Sequence, residues 1–214
     1  MNDFYELSIK HGPDKSTYHG YHYFYPKHLE HLRGEYFNML EIGYQGGHSC
    51  RMWEEYFRNA NVFAMDIGVE GRFDNHFVFR GDQSNIEDLR RVVREIGSAR
   101  FIIDDGSHHP IHQIETFNIL FSELLEQGGV YIIEDIECNY WRQETDTYGY
   151  RIGPFNAVDY TKNLIDHVNS EYTKKNNSLG ISSISYGQNC IILTKQTEDE
   201  KQYFNRQYRF EFNL

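Results

Sequence analysis

Short apolar runs recur along the chain at intervals that are typical of buried strands. Five of them are predicted as strands: Phe37–Ile42, Val62–Ile67, Phe77–Phe79, Phe101–Asp104 and Val130–Ile133. Two later runs, Ile181–Tyr186 and Asn189–Thr194, flank a Gly-containing turn and predict an antiparallel hairpin.

Helical patterns separate most of the strands. Ser84–Ile96 is predicted to be a helix with Ser84 as N-cap, because Glu87 three residues later completes a capping box. Ile111–Leu125 places its apolar side chains on one face, and helix is also predicted from Arg51 to Phe57 and over Asn156–Ser170.

This alternation predicts an α/β fold: a single doubly wound, Rossmann-like domain with a mostly parallel sheet, closed by the C-terminal hairpin. In such a sheet a ligand binds at the carboxyl ends of the strands. The domain is expected to span residues 1–214. Within it we expect an N-terminal cap segment (1–35), a lid loop (136–155), because long irregular segments are often functional, and a Tyr- and Phe-rich tail (197–214).

Composition narrows the class of protein. The 39% hydrophobic and 25% charged fractions are ordinary for a soluble domain, and no apolar run is long enough to span a membrane. The net charge of −11 argues against nucleic acid as a partner, because phosphate binding relies on Lys and Arg. The first residues do not resemble a secretory signal, so a cytoplasmic protein without a membrane partner is expected. Homo-oligomerisation is left open.

A glycine-rich turn follows the first strand, in the stretch from Glu41 to Ser49. Its glycines, Gly43, Gly46 and Gly47, do not have the GxGxxG spacing of nicotinamide enzymes. They favour a different nucleoside cofactor, although a tight turn without a ligand is the plainer alternative.

Polar residues also end the next two strands. Asp66 is placed to accept hydrogen bonds from ribose hydroxyls, or else to cap a following helix. Asp82 and Gln83 could contact an adenine edge, or Ser84 beside them could mark an ordinary helix start.

The most concentrated chemistry lies after the fourth and fifth predicted strands. Asp104 ends the fourth predicted strand, and Asp105 and His108 follow it, with His109 and His112 close behind. Glu134 and Asp135 follow the fifth. Burying so many ionisable groups is costly unless they bind a metal, pair with each other or transfer protons. Asp105, Glu134 and Asp135 supply oxygen ligands of the kind that Mg²⁺ prefers. His108 lies where it could remove a proton from an acceptor hydroxyl.

These motifs, taken in order, resemble class I S-adenosylmethionine (SAM) dependent methyltransferases. Among these, the resemblance is to the metal-dependent O-methyltransferases of macrolide sugars and rhamnosyl groups. The residues that carry it are Asp14-Lys15 with His19, Tyr21 and Tyr25; Leu40–Gly43 with Gly46-Gly47 and Met52-Trp53; Met65–Ile67; Gly81–Ser84; Ile103–His108 with His112-Gln113; and Ile133–Asp135.

The resemblance implies roles for individual residues. His108 and Asp105 are expected to be catalytic, and Asp105, Glu134 and Asp135 to hold Mg²⁺. The N-terminal block is expected to fold over the cofactor and the acceptor. The residues expected to bind SAM are Lys15, Tyr25, Glu41, Gly43, Gly46, Ser49, Asp66, Asp82, Gln83 and Asp104.

The expected function is Mg²⁺-dependent methyl transfer from SAM to a hydroxyl of a sugar, a glycosylated natural product or a glycan. Two alternatives remain: the same chemistry on a catechol-type phenol, and a non-catalytic protein with a SAM-binding fold. The acidic cluster argues against the second, because a scaffold has no need for so costly a feature.

Overall fold

The computed structural model describes residues 3–140 and 156–204. Its centre is one sheet in which eight strands are described, in the order β3-β4-β2-β1-β5-β6-β8-β7. The strands are β1 (Asn38–Ile42), β2 (Asn61–Asp66), β3 (Gly71–Phe73), β4 (His76–Arg80), β5 (Ala99–Asp104), β6 (Leu125–Glu134), β7 (Ile181–Gly187) and β8 (Cys190–Lys195).

The middle of the sheet is parallel and its two ends are antiparallel. Strands β4, β2, β1, β5 and β6 run in the same direction. Strand β3 pairs antiparallel with β4, and the β7–β8 hairpin pairs antiparallel with β6. The predicted fold class, including the closing hairpin, is confirmed.

Helices cover both faces of the sheet. They are α1 (Asp3–His11), α2 (Asp14–Thr17), α3 (Pro26–Leu29), α4 (His48–Tyr56), α5 (Ile86–Ile96), α6 (Pro110–Glu123), α7 (Ala157–Asn163), α8 (Ile165–Val168), α9 (Ser170–Thr173) and α10 (Glu198–Phe204). Short 3₁₀ turns occupy Tyr21–Tyr23, Glu30–Leu32 and Ile136–Asn139.

Two hydrophobic cores result, one on each face. On the first face, the N-terminal segment and α4 pack aromatic side chains such as Phe4, Tyr25 and Trp53 against the sheet. On the other face, α5 and α6 bury Leu89 and Phe117 with residues of β1, β5 and β6. Because apolar residues are buried on both faces, the central strands are near-continuous apolar runs.

The structure corrects several predicted boundaries. Asn85, not Ser84, caps α5, since its side chain accepts a hydrogen bond from the Glu87 backbone N–H. Helix α6 ends at Glu123, and Leu125 already belongs to β6. Residues 156–170 do not form one helix, because the chain is broken between α7, α8 and α9.

Two expected segments lie partly outside the described residues. Of the predicted lid, 141–155 are not described, and 136–139 form a 3₁₀ turn. Of the tail, Glu198–Phe204 form α10. Among the described residues, no helix has both the length and the apolar character needed to cross a membrane. The single-domain organisation over 1–214 stays a prediction.

Candidate active site at the carboxyl edge of the sheet

A cleft of about 610 Å³ opens where the parallel strands end. The strand order reverses between β1 and β5, and the loops that follow these strands part there, which is the usual ligand position in a doubly wound sheet. Predicted site residues from α2 and from the carboxyl ends of five strands line this cleft: Lys15, Gly43, Gly46, Ser49, Asp66, Asp82, Gln83, Asp105, His108 and Asp135.

Gly43 brings the ends of β1 and β5 together. Its φ of +93° lies in the region that favours glycine, and a Cβ at this position would collide with the backbone carbonyl of Asp105. Its backbone N–H donates to the carbonyl of Met65 at the end of β2. The turn therefore needs glycine here for close packing as well as for access by a ligand.

Asp66 lies beside this turn and supports it. One carboxylate oxygen accepts from the backbone N–H groups of Tyr44 (3.1 Å) and Gln45 (3.4 Å), and the other accepts from the Gly68 N–H (2.8 Å). The element that follows Asp66 is β3, so Asp66 does not cap a helix. It faces the cleft with the turn already ordered around it.

Asp82 and Gln83 have separate environments. Asp82 lines the cleft and accepts from the backbone N–H and hydroxyl of Ser84. The amide of Gln83 is occupied within the protein, since it donates to Asp104 (2.7 Å) and accepts from the Ser107 N–H (2.8 Å). Asp104 is buried and does not line the cleft. Gln83 and Asp104 therefore support the turn after β5.

Lys15 reaches from α2 into the middle of the acidic residues. Its ammonium is 2.9 Å from Asp105, 2.5 Å from Glu134 and 3.6 Å from Glu41, and the side chain is 1% exposed. Burial opposes the positive charge, but these three carboxylates outweigh it and raise the pKa of Lys15 well above its usual range. Lys15 therefore stays a cation and neutralises part of the cluster.

Glu134 and Glu41 lie behind the cleft wall. Both oxygens of Glu134 have donors, since Lys15 contacts one and the Tyr25 hydroxyl the other at 2.6 Å. Burial and the charge of Asp105 raise the pKa of Glu134. In Glu41, one oxygen accepts from Ser49 at 2.7 Å, while the other is buried without a hydrogen-bond partner and faces Lys15. Burial raises the pKa of Glu41 too.

Three side chains converge at the open end of this cluster. Asp105, His108 and Asp135 each offer one ligand atom, and these atoms lie within 4.8 Å of one another. His108 Nε2 is 3.8 Å from a carboxylate oxygen of Asp135. His108 and Asp135 both have positive φ values, +55° and +52°, which non-glycine residues rarely adopt outside constrained sites.

The donor set fits a divalent cation. Two carboxylates and an imidazole face one point, with a third carboxylate, Glu134, next to them. Burial and the negative charge of Asp105 raise the pKa of Asp135, so a cation there would relieve the repulsion between the two groups. Of the three predicted metal ligands, the structure thus brings Asp105 and Asp135 together and pairs Glu134 with Lys15.

Two contacts of Asp135 show what the sequence did not reveal. The hydroxyl of Tyr21 donates to it at 2.8 Å, and the amide of Asn189 donates to the same oxygen at 3.0 Å. Tyr21 belongs to the N-terminal block that the resemblance suggested. Asn189 lies in the β7–β8 turn with a φ of +59°. It reaches Asp135 because β8 pairs with β6, and this pairing is not visible in the local sequence.

No family model matches the chain. Among curated proteins, it is 33% identical over 179 residues to 8-demethyl-8-alpha-L-rhamnosyl tetracenomycin-C 2'-O-methyltransferase of Streptomyces olivaceus, a match covering 79% of this chain and 47% of that protein. It is 35% identical over 178 residues to L-olivosyl-oleandolide 3-O-methyltransferase of Streptomyces antibioticus, covering 77% and 45%. The chain spans about half the length of these relatives.

A solved structure has the same fold. The MycE methyltransferase from the mycinamycin pathway, in complex with Mg, SAH and mycinamycin VI, superimposes with a TM-score of 0.82 at 28% identity, over 93% of this chain and 55% of that one. Sequence and fold agree with the resemblance carried by the motifs. The chain therefore belongs to the methyltransferase family that these sugar O-methyltransferases represent.

Proposed function

We propose that this protein transfers a methyl group from SAM to a hydroxyl of a sugar carried by a small molecule, and that it requires Mg²⁺. The observation that carries the proposal is that one cleft holds both a cofactor turn and a cluster suited to a cation. The turn is Gly43 with Asp66, and the cluster is Asp105 and Asp135, with His108 beside them.

The cofactor end of the cleft is formed by β1, β2 and the loop after β4. Asp66 is assigned to the ribose hydroxyls, because it is fixed by backbone donors and ends the second strand. Asp82 is assigned to the adenine side. Gly43 and Gly46 let the backbone approach the rest of the cofactor, and Lys15 contributes positive charge beside them.

Asp105 and Asp135 would hold Mg²⁺, with Glu134 as the adjacent third carboxylate that Lys15 shares. Magnesium bound there supplies a Lewis acid that orients the acceptor oxygen and makes its proton easier to lose. Because the methyl group of SAM is already activated, the remaining task of the protein is to position the acceptor and accept that proton.

His108 is the proposed base. It lines the cleft, and its Nε2 lies 3.8 Å from Asp135, whose negative charge would stabilise the imidazolium that forms when the proton arrives. The strained backbone at His108 fixes the ring on the cleft side of the turn.

The acceptor class comes from the relatives, which act on rhamnosyl and olivosyl groups of natural products. We infer a glycosylated small molecule for this chain as well, rather than a nucleic acid or a membrane component. A cytoplasmic location belongs to the same proposal.

Methyl transfer to a rhamnosylated or olivosylated aglycone, followed by mass spectrometry, tests the proposal. Activity with Mg²⁺ should disappear in EDTA and return when Mg²⁺ is added in excess.

His108→Gln should lower turnover about 10²–10⁴-fold while retaining SAM binding. His167→Gln, a change at a histidine outside the cleft, is the matched control. Methylation of a catechol but of no glycoside, or full activity of His108→Gln, would contradict the proposal.

A further inference from the structure

Three hydrogen-bonded side chains connect the cofactor turn to strand β4 and helix α4. Glu54 lies on α4, His76 is the first residue of β4, and Tyr44 follows Gly43 in the turn after β1. His76 Nδ1 is 2.7 Å from a carboxylate oxygen of Glu54, and His76 Nε2 is 3.1 Å from the Tyr44 hydroxyl. Neither of these two contacts was evident from the sequence.

The direction of one of these hydrogen bonds follows from the donors available. A carboxylate only accepts, so Nδ1 of His76 carries the proton that is donated to Glu54. The hydroxyl of Tyr44 can both donate and accept, so its bond with Nε2 does not depend on which of the two atoms carries the proton. The side chain of His76 is fully buried.

The ring of Tyr44 packs against the backbone of the turn. A Cβ at Gly47 would lie 2.6 Å from the Tyr44 ring, so the ring and the backbone of Gly47 are in tight contact. Gly47 has a φ of +69°, and α4 begins immediately after it. Phe73 of β3 stacks on the Tyr44 ring, with 5.5 Å between the ring centroids. A rotation of Tyr44 would therefore move the whole Gly43–Gly47 turn.

The same residue also fixes the acid assigned to the ribose. The backbone N–H of Tyr44 donates to the Asp66 carboxylate at 3.1 Å. Its side chain is thus tied to β4 while its backbone is tied to the end of β2. Of the residues in this link, Tyr44 and Asp66 line the cleft.

We propose that Tyr44, held by His76 and Glu54, is a positioning residue for the cofactor: it fixes the Gly43–Gly47 turn and Asp66 in the geometry that binds the nucleoside of SAM. This inference rests on the proposed function, since it assumes that a SAM-type cofactor occupies the cleft. Neither His76 nor Glu54 lines the cleft, so both act through Tyr44.

Calorimetric titration of SAH into variants of the whole chain tests this. Tyr44→Phe keeps the ring but removes the hydroxyl, and should weaken SAH binding about three- to tenfold, the amount expected from one buried hydrogen bond. Tyr172→Phe, a change at an exposed tyrosine on α9, should bind as the unaltered protein does.

Two substitutions of His76 separate positioning from stability. The amide group of Gln lies as many bonds from Cα as Nε2 of His, and it offers the Tyr44 hydroxyl both an acceptor and a donor. The amide nitrogen of Asn lies as many bonds from Cα as Nδ1 and can donate to Glu54. His76→Gln therefore keeps a partner for Tyr44, and His76→Asn keeps only a partner for Glu54. Each loses one of the two bonds, so their thermal midpoints without ligand should fall by similar amounts.

Of the two His76 variants, only His76→Asn should lose as much SAH affinity as Tyr44→Phe does. The double variant His76→Asn with Tyr44→Phe should bind SAH no more weakly than either single variant. Equal affinity losses in His76→Gln and His76→Asn, or unchanged affinity in Tyr44→Phe, would overturn the inference while leaving the proposed function intact. If the unaltered, folded protein does not bind SAH, the proposed function fails and this inference fails with it.

Discussion

The carboxyl group of Asp104 is almost completely buried in the folded protein. The side chain is 1% exposed, and burial raises its pKa to about 7, although the hydrogen bond from Gln83 acts in the opposite direction. Its second oxygen has no hydrogen-bond partner. Asp104 therefore makes stability depend on pH in the neutral range.

The sign follows from proton linkage. Between the unfolded pKa near 4 and the folded pKa of about 7, the folded state binds the extra proton, so the free energy of unfolding falls as pH rises. Asp104→Asn should remove a slope of up to about 1.4 kcal/mol per pH unit in that window. Urea unfolding at pH 5 and pH 7.5 in EDTA measures it, with the exposed Asp74→Asn as control. An unchanged slope in Asp104→Asn would exclude this residue as its source.

Residues at strand ends could be predicted from the sequence, and residues held by distant contacts could not. Asp66, Asp105 and Asp135 were identified because each lies at or just after the end of a predicted parallel strand, and the structure places all three at the cleft. The role of His76 depends on contacts with residues 22 and 32 positions away, which local pattern does not encode.

At the scale of elements, the start of α5 shows how a small shift changes the residue that matters. The sequence pattern predicted Ser84 as the N-cap, whereas the structure uses Asn85, and the Ser84 hydroxyl donates to Asp82. Asn85→Ala should therefore lower the free energy of unfolding by about 1 kcal/mol, because an orphan N–H at the helix start loses its acceptor. Ser84→Ala should cost clearly less. Thermal or urea unfolding measures both, and a larger loss for Ser84→Ala would restore the original prediction.

A buried cation is one of the contacts that hold the N-terminal segment on the sheet. Lys15 on α2 contacts carboxylates that end β5 and β6, and Glu41 of β1 lies close by. Removing one partner of a buried ion pair leaves uncompensated charge, so Lys15→Met should cost about 3–5 kcal/mol in EDTA. Lys10→Met, which removes an exposed pair with Glu55, should cost at most about 1 kcal/mol.

Magnesium should distinguish these two variants further. Without the Lys15 ammonium, Asp105 and Glu134 no longer have a competing cation, so Mg²⁺ should raise the unfolding midpoint of Lys15→Met more than that of the unaltered protein. Lys10→Met should respond as the unaltered protein does. An equal response in all three would show that Lys15 does not share the carboxylates with the metal.

Strands β1, β2 and β5 were predicted to within two residues of their bounds, and β3 was missed. Strands β1, β2 and β5 have enough apolar residues to be recognised, whereas β3 has three residues and is defined by pairing with β4. The predicted helix over 156–170 is broken between α7, α8 and α9, because tertiary packing overrides local propensity there.

For the whole molecule, the connectivity of the sheet decides where the chemistry lies. Strands β2 and β4 lie on one side of β1, and β5 and β6 lie on the other, so the order of the sheet changes sense between β1 and β5. Every loop assigned to the site leaves the carboxyl edge of these parallel strands. This is why five separate motifs could be predicted to meet before any contact was known. The methyltransferase fold and family were confirmed by comparison, while the site assignments remain proposals.

The proposed function requires that one cleft bind a SAM-type cofactor and Mg²⁺ through separate residues. Because the chain spans about half of its relatives, binding tests this more directly than turnover does. SAH and Mg²⁺ should be titrated calorimetrically into the unaltered protein, Asp66→Asn and Asp105→Asn. We predict that the unaltered protein binds both, that Asp66→Asn loses SAH affinity but keeps Mg²⁺, and that Asp105→Asn does the reverse. Absence of SAH binding by the folded, unaltered protein, or unchanged Mg²⁺ binding by Asp105→Asn, would contradict the account.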